Sequence, residues 1–265
     1  MSQETAARAA AALLEVRRTG ERIDGLPEDL KPASLEEAYA IQAAYVPMIL
    51  DMYGGHRVGH KVGATGPAPQ QMLALEAPFR GILLSPFVHR SPAELAAGDT
   101  FIRVVESEFA FRLNDDLPAA AAPYDMAAVT AAIASMCISI EVVDLRYTTG
   151  MQAGGLQVIA DNGGAGHWIE GPPVDDWTAV DLDDHAVSLS INGEVVQEGS
   201  SANVLGNPLN SLAWLANDLC LAGDGLRAGD LVITGSCTAP TPADAGALAV
   251  ADFGVLGQVS VRFGA

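Results

Sequence analysis

Lysine is nearly absent from this chain: Lys31 and Lys61 are the only two. Arginine does not make up the deficit, because Lys and Arg together number 14 against 33 Asp and Glu, a formal net charge of −19. A nucleic-acid binder needs a basic footprint, and beyond Arg146 the only basic residues are Arg227 and Arg262. The same deficit argues against an anionic membrane surface as partner. Cysteine is scarce too. Cys137, Cys220 and Cys237 are odd in number, widely spaced and form no CxxC pair, so neither a disulfide framework nor a zinc knuckle is expected. A reducing cytoplasm is the expected compartment. No convincingly apolar run reaches the roughly 18 residues of a membrane span; the longest is Met126–Ile140. Arg8, Glu15, Arg17 and Arg18 break the alanine-rich N-terminus, so no secretory signal is expected. The signatures GxSxG, HExxH, GxxxxGK[ST] and a strand-anchored GxGxxG are all missing, which removes the commonest hydrolase, metalloprotease and nucleotide-binding readings.

What remains is a globular composition, 49% hydrophobic and 18% charged over 265 residues, enough for one large domain or two small ones. Residues 1–52 read as helix. Ser34 before Glu36 and Glu37 is a cap signal, Ala38, Ile41 and Tyr45 follow at helical spacing, and Pro32 and Pro47 are the expected boundaries. Val58 and Val62 suggest a strand, followed by a loop through Gly63–Pro69. Phe101–Leu113 reads as a strand, Met126–Ser135 as a helix and Cys137–Leu145 as a strand. Asn192-Gly193 between two apolar runs predicts a hairpin. Asn207-Pro208 starts a helix that Gly223 ends. Leu231–Thr234 and Gln258–Phe263 read as short strands. The pattern is α+β: a helical N-terminal region over 1–55 and a strand-rich body over 56–265. The five histidines, His56, His60, His89, His167 and His185, show no metal-ligand spacing and read as surface or loop residues, with His60 of interest beside Lys61. Gly163–Gly166 reads as a flexible turn.

The chemistry-bearing segment is the 101–113 strand. Side chains alternate along a strand, so Glu106 and Glu108 share a face with Ile102, Val104 and Ala110. Partly buried carboxylates that close cannot both stay charged without compensation. One is protonated, a basic side chain intrudes, or a divalent cation is bound. Glu141 is a third acid inside the apolar run 138–143, where an unpaired charge is expensive. Three strand carboxylates suit Mg²⁺ or Mn²⁺ better than zinc and leave octahedral positions for water and substrate. A solvated strand face, with Glu141 paired to Arg146, is the competing reading.

Five segments in register carry a resemblance: 58–65 (VGHKVGAT), the Glu106-Ser-Glu108 strand, 140–146 (IEVVDLR), 159–162 (IADN), and the long block from Gly199 to Ser236 with VLGNPLN and GDGLRAGDLVITGS. From about residue 35 onward the chain resembles the 2-keto-4-pentenoate hydratases and their sister 4-oxalocrotonate decarboxylases, within the fumarylacetoacetate hydrolase superfamily. The resemblance implies a mixed β-roll with surrounding helices. It implies Mg²⁺ or Mn²⁺ on Glu106, Glu108 and Glu141, with Lys61 as the active-site lysine. The expected substrate-binding set is Lys61, Arg80, Asp161, Asn162 and Ser236, with Arg80 an unusual residue for the family that either binds a second carboxylate or faces solvent. The implied reaction is addition of water to a 2-hydroxy-2,4-dienoate to give a 4-hydroxy-2-oxo acid in aromatic catabolism. The alternatives are decarboxylation of a 4-oxalocrotonate-type 2-oxo acid, or C–C hydrolysis of an acylpyruvate. A homo-oligomer, with possible association with a sister lyase, is the implied assembly. Two departures stand out. Many hydratases have an acid just before the glycine that matches Gly81, whereas this chain has Phe79 and Arg80 there, and the segment 236–242 (SCTAPTP) also differs from the commoner ending, so a changed substrate is expected from both.

Overall fold

Helix α1 (Gln3–Thr19) starts where the Ser2 hydroxyl accepts from the Thr5 N–H at 3.0 Å, and it ends at Gly20 with φ 78°. Helix α2 (Leu35–Tyr53) is capped by Ser34, while Glu37 reaches back to the Ala33 N–H at 2.8 Å. Pro47 lies inside α2 and does not end it. The buried stripe Ala38, Ile41, Tyr45 and Ile49 runs past the proline, and its packing outweighs the one lost hydrogen bond. Four shorter helices follow: α3 (Pro67–Leu73), α4 (Met126–Ala131), α5 (Gly155–Ala160) and α6 (Pro208–Leu221). Helix α6 begins with the expected Asn207 cap and Pro208.

The computed structural model describes residues 1–265 and places the strands in two sheets. In chain order they are β1 (Arg57–Gly63), β2 (Phe79–Leu84), β3 (Val88–Arg90), β4 (Ala93–Leu95), β5 (Val104–Leu113), β6 (Ile133–Val143), β7 (Ala165–Val174), β8 (Ala186–Ile191), β9 (Glu194–Ser200), β10 (Leu231–Ser236), β11 (Thr241–Pro242), β12 (Leu248–Asp252) and β13 (Gln258–Phe263). The larger sheet runs β2-β1-β10-β5-β6-β7-β3, with β11 added to β5; the smaller runs β4-β13-β12-β8-β9. Asn192 and Gly193 both take positive φ at the β8–β9 turn, as the Asn-Gly pair predicts.

Three local expectations change. Pro67 opens a helix where a loop is predicted. The helix from Met126 stops at Ala131, and the strand starts at Ile133, because β6 pairs with β5 from Leu113↔Ile133 to Val104↔Val143, with one register shift between Arg112 and Leu113. That long-range ladder overrides local helix propensity. The glycines at 163–166 form a buried turn and the start of β7.

A core of 36 residues fills the space between the two sheets and under α6. A second core of 19 residues joins α1, α2 and α5 to Phe79, Leu84 and Val143 of the larger sheet, so the N-terminal helices share a core with the body. On the remaining face of the larger sheet lies a small cluster of Leu83, Ala110, Cys137, Trp168, Leu231 and Ile233. That face is strongly concave. Strands β1 and β6 are three places apart, about 14 Å on a flat sheet, yet Lys61 on β1 touches Glu141 on β6 at 2.6 Å. The sheet is curled into a roll, and the site sits inside it.

Candidate active site

Alternation on β5 sends Glu106 and Glu108 into the roll. Glu106 lies directly across from Glu141 of β6, and Glu108 across from Ser139. One oxygen from each of the three glutamates falls within 4.8 Å of the others. Lys61 Nζ donates to Glu141 Oε1 at 2.6 Å, and the Gly235 N–H of β10 donates to Glu108 Oε2 at 2.8 Å. Lys61, Glu108 and Glu141 are buried, while Glu106 is half-buried. Glu108 Oε1, Glu141 Oε2 and the Ser236 Oγ are buried without a partner in the protein.

The electrostatics follow from this crowding. Burial, reinforced by the Glu141 charge and opposed by Lys61, pushes the Glu106 carboxyl from 4.5 up to about 7. Burial and its two acidic neighbours raise Glu108 well above the usual carboxylate range. Burial also raises Glu141, against the pull of Lys61. For Lys61, burial favours the neutral amine, but Glu141, Glu106 and Glu108 together outweigh it and hold the ammonium above its ordinary value. One ammonium among three carboxylates leaves surplus negative charge when all are ionised. Unpartnered buried oxygens, that surplus and an oxygen-only donor set fit a hard divalent cation.

Two glycines, neither among the expected site residues, shape the chamber. A Cβ at Gly81 would stand 2.6 Å from the Asn162 carbonyl oxygen and 2.8 Å from Lys61 Cγ, so the bare backbone is what lets the lysine stem pass. Gly235 has φ 110°, and a Cβ there would collide with the Thr65 hydroxyl. A strand glycine was the available sequence signal for both. Trp168, across β6–β7 from Glu141, had no such signal, because its place depends on strand register.

The other expected site residues separate. Ser236 pairs with Glu108 in the β10–β5 ladder and offers its free hydroxyl to the chamber. Arg80 is across from Val62, one residue out of phase with the Lys61↔Gly81 pair, so it leaves β2 on the opposite face. There its guanidinium pairs with Asp218 and stacks on Tyr39 at 3.9 Å. Asp161 accepts from the Arg146 N–H at 2.9 Å and from its Nε at 2.8 Å, with both side chains fully buried. Arg146 is thus committed to Asp161 and Asp144, and Glu141 takes Lys61 instead. The Asn162 amide clamps both backbone groups of Ile82, at 2.8 and 2.9 Å, and sets β2 beside Lys61. Phe79 shares the Lys61 face and is buried against Gly63 and Gly163.

Two of the histidines expected at the surface are buried. His60 points to the outer face, where its Nε2 accepts from Arg57 at 3.0 Å; burial, then Arg57 and Arg80, push it down to about 3, so it stays neutral. His167 bonds to His89 at 2.9 Å.

The model for the fumarylacetoacetate (FAA) hydrolase C-terminal region matches residues 70–263. The chain belongs to the fumarylacetoacetate hydrolase family. Family relatives include a 2-keto-4-pentenoate hydratase of Burkholderia vietnamiensis, 32% identical over 96% of this chain and 95% of that protein. A 4-oxalocrotonate decarboxylase of Pseudomonas putida is 30% identical over 91% of this chain and 90% of its own length. Among solved structures of the family, the 4-oxalocrotonate decarboxylase of Pseudomonas putida G7, complexed with magnesium and adipate, superposes with a TM-score of 0.92 at 28% identity, covering 99% of this chain and 98% of that one. No helix of this family member is long and apolar enough to cross a membrane.

Proposed function

We propose that this protein is a divalent-metal-dependent hydro-lyase that adds water to a 2-hydroxy-2,4-dienoate, through its 2-oxo-enoate tautomer, to give a 4-hydroxy-2-oxo acid in aromatic catabolism. The observation that carries this reading is the buried cluster of Glu106, Glu108 and Glu141, with Lys61 at 2.6 Å and two carboxylate oxygens unpartnered. Those three glutamates would hold Mg²⁺ or Mn²⁺. When bound, the ion supplies Lewis acidity toward the carboxylate and C2 oxygen of a 2-oxo acid.

The chain's own residues supply the rest. Lys61 holds a proton at Nζ beside the glutamates and is the group that carries protons between solvent-shielded substrate and protein. Ser236 Oγ, free of protein partners, donates to the substrate. Phe79 gives the Lys61 side of the chamber an apolar wall that limits stray water. Arg80 is tied to Asp218 on the outer face, which leaves β2 without a cation for a second carboxylate. This favours a monocarboxylate substrate over a diacid, and so favours hydration over 4-oxalocrotonate-type decarboxylation. The decarboxylase is the second reading, supported by the 0.92 superposition and by an apolar Phe79 where a water-handling acid is expected.

The test is a proton NMR time course of 2-hydroxypenta-2,4-dienoate with protein and Mg²⁺, beside an EDTA control and Glu108→Gln. Metal-dependent appearance of 4-hydroxy-2-oxopentanoate, lost in Glu108→Gln, is expected. An inert dienoate together with CO₂ release from a vinylogous 2-oxo diacid would replace the hydratase reading with the decarboxylase.

A further inference from the structure

We infer that Trp168 anchors a buried water molecule that fixes the outer oxygen of Glu141, which makes Trp168 a positioning residue for the glutamate cluster. The inference rests on the reading of Glu106, Glu108 and Glu141 as a divalent-cation site. Trp168 of β7 is the cross-strand partner of Glu141 of β6. Directly paired residues point to the same face with Cβ atoms about 5 Å apart. Both side chains line one narrow cavity at the seam between β2 and β7, where the roll does not close. Each carries an unmet buried atom: the indole Nε1–H, on a residue 2% exposed, and Glu141 Oε2.

The chemistry of these two atoms is complementary. An indole N–H only donates, and an ionised carboxylate only accepts. They make no direct hydrogen bond, and the cavity has room for about one water molecule. A water accepts from Trp168 and donates to Glu141, which satisfies both groups at once. The other polar side chains along the cavity each have a protein partner of their own. The Asn162 amide holds Ile82, His167 holds His89 and the Asp99 carbonyl, and Arg17 donates to the Tyr45 hydroxyl. Glu141 is then tethered at both oxygens, Oε1 by Lys61 and Oε2 by the water, and the second lone-pair site of each oxygen stays available to a cation. Its carboxylate presents one orientation to an incoming cation and loses little freedom on binding. Outer partners of this kind typically change metal affinity 10- to 100-fold when removed.

Trp168→Phe keeps an aromatic body and deletes the N–H. Isothermal titration of the full chain with Mn²⁺ should give a Kd about 10-fold weaker than wild type, without a rise in the melting temperature of the metal-free protein. An unchanged Kd with a higher melting temperature overturns the inference, since that is the result of deleting an unsatisfied buried donor. Wild type that binds no Mn²⁺ overturns the cation-site reading beneath it, and is thereby distinct from wild type that binds while Trp168→Phe binds equally well. If Trp168→Phe does not fold, a high-resolution crystal structure of the wild-type protein decides. Density for a water within hydrogen-bond distance of Trp168 Nε1 and Glu141 Oε2 supports the inference, and a dry cavity overturns it.

Discussion

Without its cation, the protein is expected to lose stability as pH rises from 5 to 8, and Glu106 gives the clearest measure of that loss. Its carboxyl lies at 4.5 in the absence of perturbation and at about 7 in the folded site, because burial and Glu141 disfavour the charged form. The sign follows from linkage. Between those two values the folded state holds a proton that the unfolded state has released, so stability falls with pH at about 1.4 kcal/mol per pH unit for each such group. The contribution is fully present below 4.5 and gone above about 7. For Glu106 alone it amounts to up to about 3 kcal/mol. At roughly 2–4 °C per kcal/mol for a chain of this size, the melting temperature should fall by on the order of 10 °C from this source. General repulsion in a chain of net charge −19 acts in the same direction, so the informative quantity is the difference between wild type and Glu106→Gln. Gln mimics the protonated acid. In EDTA the two proteins should melt together near pH 5, and Glu106→Gln should melt higher near pH 8. Adding Mg²⁺ or Mn²⁺ at pH 8 should nearly close the gap at about 100 times Kd, where binding contributes about 2.7 kcal/mol, and reverse the order at about 1,000 times Kd, where it contributes about 4.1 kcal/mol. Calorimetry from pH 5 to 8, with and without metal, is the assay. A wild-type minus Glu106→Gln difference that stays flat with pH would refute the reasoning that these carboxylates are crowded and dehydrated.

Other substitutions test the supporting structure. Asp161→Asn leaves Arg146 as a buried cation with a weakened partner, and urea unfolding should show a loss of about 3–5 kcal/mol. Gly81→Ala drives a methyl toward the Asn162 carbonyl and the Lys61 stem; turnover should drop at least about 100-fold, as expected when a reacting group is misplaced, with metal affinity by calorimetry less affected. Arg80→Met should leave KM for a monocarboxylate substrate within about 3-fold of wild type, since the guanidinium faces Asp218 and Tyr39; a large rise in KM would return Arg80 to the substrate site. Ser236→Ala should raise KM while leaving Mn²⁺ affinity unchanged, and loss of Mn²⁺ binding would show that the hydroxyl serves the cluster instead.

Much of the site was legible in the sequence because strand periodicity is a local rule. Alternation alone put Glu106 and Glu108 on one face, and the cost of burying Glu141 in an apolar strand marked it as paired. The Ser34 cap, the Asn192-Gly193 hairpin and the Asn207-Pro208 helix start were readable for the same reason: each is decided by a few adjacent residues. Pro47 and the 126–135 segment misled because burial and strand pairing with distant residues outweighed their local preference.

The sequence by itself determined the inventory: one acid triad, one usable lysine, too little basic charge for a polyanion partner, and an α+β order of elements. Only the tertiary structure decided how that inventory is spent. The curl of the larger sheet brings Lys61 to Glu141 across three strand positions. Strand phase turns Arg80 outward while its neighbour Gly81 faces in. Arg146 goes to Asp161 rather than to Glu141, and Trp168 arrives beside Glu141 through the β6–β7 register. These outcomes depend on contacts between residues 15 to 80 positions apart in the chain, and no local pattern encodes which of several possible partners a buried charge will meet.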